Sequence, residues 1–170
     1  MVEPWVAKTS NVRNLDGVSA FNLLSNGIAK WENAASFDIL GNGALTSDGL
    51  IADTVSPDNK NEVYFANIET QNAIAVTIVW GIFGGPTYQR VLVEWDQVYD
   101  DIDYDWSLAG EVGKMDFDNI ATHELGHSVG MGDIYESACS AVTMYGYAAT
   151  GETKKQTLEP ADILGVSALY

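Results

Sequence analysis

His123, Glu124 and His127 stand in an HExxH run inside residues 123–133, HELGHSVGMGD. On a helix, two histidines at i and i+4 lie about 40° apart around the axis, so both imidazoles leave one face toward a common point. Such a pair grips zinc, and Glu124, next to the first imidazole, is placed to act as general base on a water at the metal's open side. Gly130 falls where the helix can stop at a residue of positive φ and let the chain turn back, which brings Asp133 under the metal as a third ligand. Three protein ligands with a fourth position left for water make a catalytic site rather than a structural one. The chain has two histidines and one cysteine, so a third ligand is a carboxylate or Cys139. Cys139 is read first as a small buried hydrophobe, since one thiol supports no internal disulfide framework.

The same stretch resembles the metzincin signature HExxHxxGxxH/D, in the version that ends in aspartate, as in snapalysin-like peptidases. Further along, CSAVTMYGY places Met144 in a segment that resembles the Met-turn beneath the zinc of metzincins. The matrixin form, Met-Tyr-Pro-x-Tyr, is one residue longer than Met144-Tyr145-Gly146-Tyr147. The phrase AKWENAASFDI resembles the first helix and following strand of matrixin-like members, with Trp31 anchoring that helix to the sheet, and LEPADILGVSALY resembles their terminal helix. The resemblance implies a zinc-dependent endopeptidase that holds one Zn²⁺ through His123, His127 and Asp133. Glu124 would be its base and Met144 would lie below the metal, with Tyr145 and Tyr147 beside the substrate pocket. It also implies an α+β fold, a twisted, mostly parallel sheet with an antiparallel edge strand, and with the zinc helix and the first helix on one face. Residues 1–130 would form an upper subdomain and residues 131–170 a small lower one, carrying the Met-turn and the terminal helix, within one catalytic domain of residues 1–170. Two alternatives stand beside this reading. One is a gluzincin-type peptidase with Glu152 as third ligand; the other is a catalytically silent zinc-containing binding module, against which the intact Glu124 argues.

These residues need elements to position them. Residues 17–35 carry Val18, Phe21, Leu24, Ile28 and Trp31 at spacings of three and four, which predicts a helix capped by Asp16. Residues 37–40 read as a short strand and residues 41–61 as a loop whose Asp48, Asp53 and Asp58 suit solvated turns. Residues 62–68 and 73–80 are rich in branched and aromatic side chains and predict strands, while residues 91–99 alternate apolar and polar residues as a half-buried strand does. In matrixin-like relatives the strand at residues 73–80 is the antiparallel edge that roofs the cleft. An edge strand offers unpaired N–H and C=O groups to an extended peptide, so Ile74, Ala75 and Val76 are candidate substrate-binding residues. Asp101, Asp103 and Asp105 alternate like the start of a calcium loop, but Trp106 and Val112 stand where an EF-hand needs glycine and glutamate. Calcium therefore has no complete loop pattern behind it. The zinc helix is expected to start near Asp116 or Asp118, with Phe117, Ile120, Ala121, Leu125 and Val129 on its core face. Glu159, Pro160 and Asp162 predict the start of a last helix.

At 170 residues the chain can bury a sizeable core without staples. Eight basic against 24 acidic residues give a net charge of −16, a surface that repels nucleic acid and anionic membrane, so neither is expected as a partner. No run reaches the length of a membrane span, and the first residues lack the apolar region of a signal peptide. Because peptidases of this resemblance are usually exported, the sequence is read as a mature secreted form. The expected partner is a peptide or protein bound in extended form to a monomer.

Overall fold

The structure, a computed structural model, describes residues 4–170. Five strands form one sheet, β1 (Trp5–Lys8), β2 (Gly43–Leu45), β3 (Asn61–Ala66), β4 (Ala75–Ile82) and β5 (Val91–Asp100), in the order β2-β1-β3-β5-β4. All neighbouring pairs are parallel except β4 with β5, so the sheet is mostly parallel with one antiparallel edge, as expected. Its inner face is covered by α1 (Gly17–Ala35) and α2 (Phe117–Ser128). A short pair, β6 (Trp106–Ser107) and β7 (Met115–Asp116), leads into α2, and α3 (Pro160–Ser167) closes the chain.

The helix starts fall where the sequence placed them, with Asp16 as the cap of α1 and, of the two starts considered for α2, the one after Asp116. Asp16 accepts from Ser19 N at 2.8 Å and Asp116 from Asn119 N at 2.9 Å, so each helix starts where a side-chain oxygen meets a free backbone N–H. α3 begins at Pro160, and Asp162 accepts from Glu159 N at 2.9 Å. On α1 the buried stripe runs through Ala20, Leu24, Gly27, Ile28 and Trp31, while Val18 is exposed. Gly27 belongs to the stripe because a Cβ there would meet Leu125 Cδ1 at 2.6 Å; the glycine lets α1 and α2 approach closely. Trp31 donates its indole N–H to Thr122 O at 2.8 Å, so it ties α1 to α2 rather than to the sheet.

Four expectations about the strands need correction. Residues 37–40 form no strand: Ile39 and Leu40 are buried, and their N–H groups are both taken at 2.9 Å by Glu32 Oε1, which replaces a strand partner. The strand of that region is β2, inside the expected loop, where Gly43 packs directly on the Trp5 ring. β1 was not foreseen; it is four residues long, yet it lies between β2 and β3 in the sheet, with Trp5 and Ala7 buried.

The fourth concerns β5, which is not half-buried. Residues 46–60 lie across the sheet's outer face and cover its polar side chains. Asp53 N donates to Asp96 Oδ2 at 2.9 Å, Lys60 N and Asn59 N donate to Glu94 Oε2, and Ile51 N donates to Glu62 Oε2 at 2.8 Å. The acids that alternate along the strand thus hold a loop whose own backbone groups need partners. The zinc-helix segment differs from expectation in the same way. It is buried on nearly every side, and the predicted core residues Phe117, Ile120, Ala121, Leu125 and Val129 are all buried.

Candidate active site

α2 ends as the glycine predicts. Val129 is its C-cap and Gly130 has φ 94°, a conformation that costs any residue with a Cβ. Gly130 N donates to His127 O at 2.8 Å and Met131 N to Gly126 O at 2.9 Å, the paired bonds of a Schellman turn. The reversed chain then meets the Met144 segment. Ile134 N donates to Met144 O at 2.8 Å and Gly146 N to Ile134 O at 2.9 Å, a parallel bridge that clamps the backbone on one side of Asp133. Met144 is fully buried, with its thioether packed against Gly126, between the two histidines of the helix.

This scaffold brings His123, His127 and Asp133 together. Asp133 Oδ1 lies 3.3 Å from His123 Nε2 and 3.5 Å from His127 Nε2, and one donor atom from each residue falls within 4.8 Å of the other two. The outer ring nitrogens are occupied by backbone carbonyls: His123 Nδ1 meets Thr143 O at 2.7 Å, and His127 Nδ1 meets Met131 O at 2.9 Å. A carbonyl only accepts, so each Nδ1 carries the proton, and each Nε2 of a neutral ring turns its lone pair toward Asp133. Two lone pairs and a carboxylate oxygen facing one another repel unless a cation stands among them, so the donor set fits a divalent metal. A proton can stand in for the cation: with one on an Nε2, that ring donates to Asp133, and such hydrogen bonding from the imidazoles holds the Asp133 carboxyl far below the usual range. Burial favours the neutral form of His127 most, yet Asp133, Glu124 and the Met131 carbonyl together outweigh it and raise its pKa.

These residues open on a cleft of about 580 Å³ lined also by Glu124, Gly130, Gly146 and the stretch from Asn72 to Thr77. The strand at its rim is therefore the free edge of the sheet, and Ile74, Ala75 and Val76 all line it. The family model for matrixins matches residues 54–170 of the chain. The chain belongs to the matrixin family. Matrixins are zinc-dependent metallopeptidases, and a catalytic zinc is part of that membership. A search among curated proteins finds no match to this matrixin.

The remaining candidates fall in different places. Tyr145 and Tyr147 stand edge-to-face at 5.6 Å, and Tyr147 meets Tyr135 at 5.4 Å; the cleft itself is lined by Gly146 between them. Glu152 is not among the converging donors: its Oε2 lies 3.5 Å from Lys154 Nζ and its Oε1 is buried without a hydrogen-bond partner. Cys139 is half-buried on a short 3₁₀ turn (Ser137–Cys139), also apart from them. Asp101 and Asp105 are engaged by the N-terminal segment, the first accepting from Val12 N at 2.8 Å and the second pairing with Arg13 at 3.1 Å. No helix among the described residues is long and apolar enough to cross a membrane.

Three contacts around the site were not foreseen. Tyr135 Oη donates to Asp133 Oδ2 at 2.9 Å, leaving Oδ1 as the oxygen that faces both rings. Asp162 accepts from Thr143 N at 2.9 Å and Met144 N at 3.2 Å, and so holds the turn whose carbonyl orients His123. Thr77 Oγ1 lies 2.5 Å from Glu124 Oε2. Only the spacing of Tyr135 after Asp133 was visible beforehand; the other two cross between elements far apart in the chain.

Proposed function

We propose that this matrixin is an endopeptidase in which His123, His127 and Asp133 hold the zinc and Glu124 is the general base. The observation that carries the reading is the convergence of two carbonyl-oriented imidazoles and one carboxylate on the floor of a cleft that Glu124 also lines. Zinc bound there would polarise the scissile carbonyl and lower the pKa of a water toward neutrality. Glu124 takes the proton of the attacking water on a carboxylate oxygen and delivers it to the nitrogen of the leaving amine. Asp133 adds a negative charge to two neutral imidazoles.

Substrate binding follows from the edge. β4 pairs with β5 on one side; Ile74, just before it, gives its carbonyl to Asp100 N at 3.0 Å, and alternation then turns the N–H and C=O of Ala75 to the free side, in a stretch where Ile74, Ala75 and Val76 all line the cleft. An extended peptide adds to that side as a further strand, with its side chains pointing alternately into the cleft and away from it. Tyr145 and Tyr147, flanking Gly146, border the pocket for the residue after the scissile bond. The protein acts outside the cell in this reading, since matrixins are commonly extracellular.

The test combines metal content with hydrolysis of denatured casein. Glu124→Gln is expected to keep its zinc and lose roughly 10²–10⁴-fold in rate, the usual contribution of a positioned base. Asp133→Ala is expected to lose zinc, and Glu152→Ala to keep it. Zinc retained by Asp133→Ala and lost by Glu152→Ala overturns the ligand set. Unchanged hydrolysis by Glu124→Gln overturns the base and favours a binding module.

A further inference from the structure

Glutamate has three rotatable bonds, and a base must hold its reacting oxygen in place to within a fraction of an ångström. Something has to fix the carboxylate of Glu124. On β4, the Trp80 indole reaches the Asp53 carbonyl on the loop-covered side of the sheet. Thr77, an odd number of residues away, projects to the other side, toward α2. There its Oγ1 lies 2.5 Å from Glu124 Oε2 and 3.3 Å from Glu124 O. One hydroxyl proton serves one acceptor at a time, and the shorter contact has the length of a charge-assisted O–H···O⁻ bond. The neighbours of Thr77 on this side of the strand, Ala75 and Val79, are apolar and pack against the core, so the hydroxyl stands alone opposite the carboxylate.

Donor and acceptor are held by elements locked to one another. Thr77 pairs in register with Gln97 of β5, and Gln97 Nε2 donates to Ser128 Oγ of α2 at 2.9 Å. β4 is already bound to β5 along its whole length from Ala75 to Ile82, so a further tie to α2 adds little to the strand's attachment.

We propose that Thr77 is a positioning residue for Glu124: its hydroxyl holds Oε2 so that the second carboxylate oxygen is presented to the cleft at a fixed angle. The proposal rests on the reading of Glu124 as the general base. It gives the edge strand a second task, since the stretch that offers its backbone to substrate also sets the orientation of the base.

The test uses the zinc-loaded full chain, with a fluorogenic peptide chosen from the cleavage products of denatured casein. Thr77→Val keeps the shape and removes the hydroxyl; Thr77→Ser keeps the hydroxyl and removes a methyl. Loss of a hydrogen bond to a charged group predicts a kcat lower by about ten- to a hundredfold for Thr77→Val, with KM within about twofold, and a Thr77→Ser within about threefold of wild type. Zinc affinity and Tm are expected to stay near wild type in both. Added to Glu124→Gln, Thr77→Val is expected to produce no further loss, because it acts only through the missing carboxylate. A crystal structure of Thr77→Val is expected to show the Glu124 side chain turned away from its wild-type position. The proposal is overturned by a wild-type kcat in Thr77→Val, by an equal loss in Thr77→Ser, or by a further loss on the Glu124→Gln background. It is overturned as well if Thr77→Val fails to fold or loses zinc, since the bond then holds the scaffold rather than the carboxylate. Full activity of Glu124→Gln alone overturns the underlying base assignment instead, and is seen in a different protein.

Discussion

Replacing Asp162 by asparagine should destabilise the fold and loosen the metal site together. The Asp162 carboxylate is buried and takes three backbone N–H groups: Thr143 N and Glu159 N on Oδ2 at 2.9 Å each, and Met144 N on Oδ1 at 3.2 Å. Asparagine offers one oxygen and one NH₂. In the better of its two orientations the oxygen keeps the Oδ2 partners, and the NH₂ then faces the Met144 N–H donor to donor. One bond to a charged acceptor is lost and a buried N–H is left unsatisfied, each costing roughly 1.5–3 kcal/mol, of which part is shared, so the net loss is about 3 kcal/mol. For a chain of this length that is a Tm lower by roughly 6–12 °C, read by calorimetry. An Asp38→Asn control at an exposed position should shift stability by less than about 0.5 kcal/mol. The second consequence reaches the metal. Thr143, held by Asp162, presents its carbonyl to His123 Nδ1 at 2.7 Å, so zinc affinity should fall about tenfold, the lower end of what outer partners of metal ligands contribute. A Tm within about 1 °C of wild type would refute the anchoring argument. A large Tm loss with unchanged zinc affinity would refute the link from Asp162 to His123 alone.

Other outcomes follow from single contacts. Burial, assisted by Glu94 and Glu62 and opposed by the N–H groups of Asp53 and Glu62, pushes the Asp96 carboxyl up to about 7. The folded state therefore binds this proton more tightly than the unfolded chain. The contribution is fully present below the unfolded value near 4 and is lost as pH rises through about 7, by at most about 4 kcal/mol. Urea titrations should show the stability of wild type relative to Asp96→Asn declining from pH 5 to pH 8; a constant difference rejects the shift. Gly126→Ala would place a Cβ against the Met144 thioether and 2.7 Å from Trp31 Cζ2. The gain of about 1 kcal/mol in helix propensity is outweighed by roughly 1–3 kcal/mol of overpacking, so Tm should fall, and a rise would show that the core yields there. Tyr135→Phe removes the donor to Asp133 Oδ2 and should lower zinc affinity by up to about tenfold in a competition titration, with hardly any change in Tm because Tyr135 is exposed.

Residues close in the chain made much of this site readable. The i, i+4 histidines, the positive-φ glycine after the helix, the cap at Asp16 and the helix starts near Asp116 and at Pro160 each act within one or two turns of backbone. Composition and spacing are enough to recognise them. The family signature around Asp133 and Met144 was legible for the same reason. β1 was not, because four residues beside a proline carry no periodicity long enough to distinguish a strand; it is a strand because β2 and β3 pair with both of its edges. The alternation of residues 91–99 was read correctly as a strand and wrongly as half-exposed, since no local pattern shows that a distant loop will fold over the acids and satisfy itself on them.

The sequence by itself determined the chemistry available: two imidazoles, a neighbouring carboxylate and a reversal that carries Asp133 back toward them. Only the tertiary structure decided how those groups are aimed. Thr143 and Met131 carbonyls set the imidazole tautomers, Tyr135 chooses the oxygen of Asp133 left facing them, and Thr77 reaches Glu124 from another element. Which donor groups can converge depends on spacing along the chain, two imidazoles on one helix and Asp133 past the turn at Gly130, which backbone geometry imposes locally. Their orientation depends largely on hydrogen bonds between segments distant in the chain, such as β4 with α2 and the Met144 turn with α3.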